Sequence, residues 1–164
     1  MTLFRRLVAA RAGASPKAES WEPAAQVRVG RRVCGWHALL AYLAEFPMGT
    51  ESAPVRVIFL DDDGVLRGDI HFDRSMFSFG DLGLKIANFA YSIGASAFFI
   101  LHAAERYAEP VDTDWLLAHE VRREAGRLDI TMLDYLVAAP SEFYSLLFQR
   151  ASSIAPASAT RVFS

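Results

Sequence analysis

Ala97-Phe98-Phe99-Ile100-Leu101-His102 decides the fold. Five apolar residues run unbroken and stop at a histidine. A run that short, with no polar alternation, reads as a strand buried on both faces of a sheet. Behind it, Ala103 to Asp114 is a polar loop that ends in two acids, Asp112 and Asp114. Ligand-binding and catalytic groups are often delivered at the carboxyl end of a buried strand, beneath such a loop. A site is expected there.

Outward from this strand the pattern alternates. Toward the N-terminus, Leu82, Ile86, Phe89, Ala90 and Ile93 repeat at helical spacing, and Gly94 stops the helix. Ser75 to Asp81 reads as a loop. Before it, Val55 to Leu60 and Val65 to Phe72 are β-rich runs on either side of Asp61-Asp62-Asp63-Gly64, a hairpin signal because the turn needs positive φ. Earlier still, Val33 to Leu43 carries a stripe of Trp36, Leu39, Leu40 and Leu43, which Pro47 and Gly49 end; His37 lies off the stripe and reads as solvated.

Toward the C-terminus, Pro110 with Asp112 or Thr113 starts a helix that turns Leu117, Val121, Ala125 and Leu128 inward. Glu120, Arg122, Arg123 and Glu124 read as its solvated face. Thr131 to Val137 and Phe143 to Phe148 are the last strands, joined through Pro140-Ser141. The order α-β-β-α-β-α-β-β predicts an α/β fold, a mixed β-sheet flanked by helices.

The 164 residues suit one domain, and a hydrophobic content of 52% is ample for its core. That domain is assigned to residues 27–150, after a flexible basic arm over 1–26 that carries Arg5, Arg6, Arg11 and Lys17, and before a disordered tail over 151–164. A net charge of -2 gives no electrostatic case for gripping a nucleic-acid backbone. No apolar stretch is long enough to span a bilayer. The single cysteine, Cys34, excludes an internal disulfide, fits a reducing, cytoplasmic compartment and reads as a small buried hydrophobe.

Two resemblances bear on chemistry. Val57 to Leu66, an apolar strand followed by Asp-x-Asp-Gly-x-Leu, resembles the first motif of haloacid dehalogenase-like phosphatases. That resemblance implies Asp61 as nucleophile, beside Mg²⁺. An acidic Asp-Gly hairpin explains the same letters, and a strand-like run stands where that fold expects a helix.

The second resemblance covers Val33 to Phe148. Val33 to Leu43 is similar to the "V-x-x-W-x-A-L-L-x-Y-L" helix of the RadC-like branch of the JAB/JAMM metalloprotease family (MPN fold). Val57 to Leu66 resembles its "V-L-F-L-D" strand and turn, and Ala87 to His102 its "A-x-x-x-x-A-x-x-x-I-L-x-H" helix and strand. Ala125 to Val137 resembles "A-G-R-L-L-G-I-x-L-L-D-H-L-V-V", and Tyr144-Ser145 the closing "Y-S".

The resemblance implies a zinc site built from His-x-His and an Asp, with an acid on an earlier strand as general base. Here His102 takes the first His position, Ala104 the second, and Asp114 the Asp position across a one-residue gap. The base position falls on Asp69, with His71 as the alternative. Alanine cannot bind zinc, and losing one of three ligands costs several kcal/mol where intact structural sites are worth about 10–16 kcal/mol. His71, Glu105 or Asp112 are the candidate replacements. The expectation is therefore a pseudoenzyme that keeps a cleft for a protein or peptide and needs no cofactor. The alternatives are a zinc peptidase or isopeptidase with rearranged ligands, and the Mg²⁺ phosphatase. The family's association with DNA repair comes only with the resemblance.

Overall fold

The computed structural model describes residues 29–46, 55–72, 79–104, 107–140 and 142–153. The proposed arm over 1–26, the helix-ending Pro47 and Gly49, Glu105, and the tail beyond residue 153 lie outside the described residues. Among the described residues there are three helices and six strands, in the order α1 (Trp36–Glu45), β1 (Val55–Leu60), β2 (Leu66–Phe72), α2 (Phe79–Ser92), β3 (Ala97–Ala103), α3 (Asp112–Gly126), β4 (Thr131–Ala138), β5 (Glu142–Ser145) and β6 (Arg150–Ser153). No described helix is long and apolar enough to cross a membrane.

The strands form one mixed sheet in the order β2-β1-β3-β4-β5-β6. Only β3 and β4 run parallel, and α3 is the crossover between them; every other neighbouring pair is antiparallel. The opening stretch is thus a central strand. Its alternate residues feed two separate cores. Phe98 and Ile100 pack with Val55, Val57, Phe59, Tyr135 and Val137 under α2 and α3, which contribute Leu82, Ile86, Leu117 and Val121. Phe99 and Leu101 pack with Ile58, Leu60 and Leu136 under α1, which contributes Leu39 and Tyr42. A continuous apolar run follows from coverage on both faces, because Phe98 to Leu101 are all buried.

The hairpin forms as its letters demand. Gly64 has φ +71°, and the Asp61 carboxylate accepts the backbone N–H of Asp63 and of Val65 and pairs with Arg67. Gly94 likewise ends α2 at φ +69°, with the Ala95 N–H donating to the Ala90 carbonyl at 2.9 Å.

Several expectations need correction. The α1 helix starts at Trp36 and buries Leu39 and Tyr42; Trp36 and Leu43 of the expected stripe pack half-buried against the same core, and Leu40 is half-buried. Tyr42 is the residue at i+3 from Leu39, and its polar tip masked it in the apolar count. The α2 helix begins at Phe79, inside the stretch read as a loop. Phe143 to Phe148 is not one strand: it turns after Ser145, and Arg150–Ser153 comes back as β6, so 151–153 belong to the sheet. Cys34 is exposed. Glu124 is buried, its charge met by Arg123 and Arg127.

Candidate functional site at the carboxyl end of β3

The parallel strands β3 and β4 end side by side at Ala103 and Ala138, and the chain leaving β3 is tied down at several points. The Ala104 N–H donates to the Ala138 carbonyl at 2.7 Å, and the Ala108 N–H to Glu142 Oε1 of β5 at 3.0 Å. Val111 then caps α3. Its N–H donates to Asp114 Oδ2 at 2.9 Å, the returning half of a capping box. An acid in the first turn is favoured there, because unpaired N–H groups and the helix dipole both suit a negative charge.

The capping role leaves Asp114 Oδ1 directed at the sheet. His102 Nδ1 lies 2.8 Å from it, and the Tyr135 hydroxyl of β4 donates to it at 3.0 Å. Asp114 is fully buried, while the His102 side chain keeps 14% of its surface exposed. Nδ1 itself is buried. Although it lies close to Asp114 Oδ1, it makes no hydrogen bond of good geometry among the described residues. Burial pushes the Asp114 carboxyl up; His102, the Val111 N–H and the Tyr135 hydroxyl outweigh it and hold the group below the usual carboxylate range.

His102 and Asp114 are thus brought together as the sequence predicts. Asp69 is not. Asp69 faces Ile58 across the β1–β2 ladder and lies beneath α1, in the layer of Tyr42. His102 pairs with Val55 and Val137, on the α2–α3 face. The six-stranded sheet stands between them, so Asp69 cannot act as base for a centre at His102. Instead its carboxylate is bonded to Arg56 at 2.8 and 2.6 Å and to the Tyr42 hydroxyl at 2.5 Å. Burial and the neighbouring Asp69 carboxylate push the Tyr42 hydroxyl above the ordinary phenol range. His71 shares the Asp69 face, opposite Arg56. Burial, and then the Arg56 charge, lower it, which favours a neutral imidazole.

The donor set does not fit a catalytic zinc. Among the described residues no three His, Cys, Asp or Glu side chains gather to hold an ion. Ala104 does stand beside the α2–α3 core, two residues beyond His102 on the same face, but it brings no donor. His102 and Asp114 also touch directly. Two ligands of one tetrahedral zinc at about 2.0–2.1 Å sit about 3.3 Å apart, and the observed 2.8 Å leaves no room for an ion shared by His102 Nδ1 and Asp114 Oδ1. Asp112, a candidate replacement, is exposed in the first turn of α3.

The phosphatase reading gains no support at Asp61, whose oxygens close the hairpin turn. Sequence reasoning missed Tyr135, Arg56 and Glu142. The first two were detectable as polar groups inside apolar strands, since a buried phenol or guanidinium must find a partner. Glu142 carried no such signal. Neither a scan against protein-family models nor a search of the curated proteins finds a match to this chain.

Proposed function

We propose that this chain is a RadC-like JAB-domain pseudoenzyme, a relative of zinc metalloproteases that binds a protein or peptide instead of hydrolysing one. The observation that carries the reading is the meeting of His102, at the end of a central buried strand, with Asp114, in the first turn of the next helix, while Ala104 occupies the remaining position on that face. These are the positions that the resemblance assigns to the three zinc ligands, and Ala104 brings only a methyl group to the third. The net charge of -2 favours a protein partner over nucleic acid.

The test is zinc content by elemental analysis, for the full chain and for Ala104→His, each purified without chelator and dialysed against added zinc. The expected result is far below one equivalent for the natural chain and about one for Ala104→His. A histidine there supplies the third ligand, and the His102–Asp114 contact opens to admit the ion. About one zinc in the natural chain, lost in His102→Ala, would establish the hydrolase alternative instead. No gain in Ala104→His would remove the positional match on which the family reading stands.

A further inference from the structure

Helix α3 turns Leu117, Ala118, Val121 and Ala125 into the core beside α2. Its other side is bare. Trp115 and Leu116 are 39% and 56% exposed, and Val111, just before the helix, is 54% exposed. Apolar side chains gathered in this way on a surface mark a contact with another molecule. Asp112, His119 and Arg122 are exposed on the same side. Arg123 and Arg127 are paired with Glu120 and Glu124, whereas Asp112 and Arg122 form no ion pair among the described residues. Asp112, Trp115, His119 and Arg122 follow one another at intervals of three, four and three residues, so they lie in one stripe along the helix.

We propose that this stripe is a homodimer interface, on which a second copy of the chain lays its own α3 antiparallel about a two-fold axis level with Leu117. Asp112 and Arg122 are each five residues from that level, and Trp115 and His119 are each two. The axis therefore sets Asp112 against the partner's Arg122 and Trp115 against the partner's His119, and repeats both pairs in reverse. Such a contact requires a surface complementary to itself. The N-terminal half of the stripe carries an acid and an indole, and the C-terminal half a base and an imidazole that can stack on the indole. A parallel pairing would set Asp112 against Asp112 and Arg122 against Arg122. The antiparallel one joins opposite charges at both ends and opposes the two helix dipoles. A net charge of -2 puts little self-repulsion in the way. One helix face is smaller than the ~800 Å² per partner of a standard interface, so a dimer dissociating in the micromolar range is expected. The proposal rests neither on the family reading nor on a metal.

The measurement is sedimentation velocity of the full chain from low to high micromolar concentration, with circular dichroism to check that each variant is folded. The natural chain is expected to pass from monomer to dimer. Asp112→Arg alone sets Arg against Arg at both ends, and Arg122→Asp alone sets Asp against Asp, so each is expected to weaken the dimer by about tenfold or more. Mixed in equal amounts, the two variants restore an acid–base pair at both ends, and a one-to-one dimer is expected to return. A natural chain that stays monomeric at high micromolar concentration overturns the proposal. So does a dimer that both single variants leave intact, because the contact then lies on another face, or a mixture that stays monomeric. Should either variant fail to fold, Trp115→Ala tests the same stripe, and a dimer there as strong as that of the natural chain also overturns it.

Discussion

Arg56 of β1 and Asp69 of β2 meet diagonally across the ladder as a bidentate pair, with donor–acceptor distances of 2.8 and 2.6 Å and both side chains about 1% exposed. The pair is fully desolvated, so its energetics are dominated by what happens when one partner is lost. Asp69→Asn leaves a guanidinium buried without its counter-charge and is expected to cost about 3–5 kcal/mol in urea unfolding. Replacing both, as in Arg56→Met with Asp69→Leu, is expected to recover most of that loss, since an apolar pair has no charge to strand. A stable Asp69→Asn would mean that the carboxylate does not hold the layer beneath α1 in place.

That pair also shows why the sheet could be read from the sequence and part of the site could not. Strand β3 announced itself because burial on two faces forbids polar alternation, and the hairpin because Asp61 and Gly64 serve a turn that few other residues can make. Asp69 was legible as an acid on a strand, but its burial and its face were not. Side-chain direction alternates every residue, and the irregularity between Phe59 and Leu60 shifts the register at the start of β2. A count along the sequence cannot place Asp69 above or below the sheet without that shift. His102 and Asp114 were easier to place, because strand end and helix start are fixed points of a β-α unit.

At the hairpin itself, Gly64→Ala is expected to destabilise by about 1–3 kcal/mol. Two effects add. A side chain at φ +71° is strained, and a Cβ there would sit 3.2 Å from Cys34 Cβ, in the segment that bridges to β2 through Arg32 and Val65. Thermal unfolding of the variant is the measurement. The same segment carries the Cys34 thiol on its exposed side. Native protein is therefore expected to take one equivalent of a thiol reagent without denaturant, whereas a buried cysteine would react only on unfolding.

The acid limb of stability separates two buried carboxylates. Asp114 is held below its ordinary value, so its contribution is complete above about pH 4 and is lost as pH falls through the folded-state pKa. Asp134 behaves in the opposite sense. Burial raises it despite bonds from the Ser145 hydroxyl and from the N–H groups of Tyr135 and Leu147, so ionising it costs stability as pH rises through its folded-state value. Asp114→Asn is therefore expected to flatten the acid-induced loss of stability, and Asp134→Asn to steepen it by removing the group that works against it. Urea midpoints measured at intervals from pH 3 to neutral distinguish the two. If Asp114→Asn keeps the natural slope, the contacts with His102, Val111 and Tyr135 contribute nothing to the acid sensitivity of the fold.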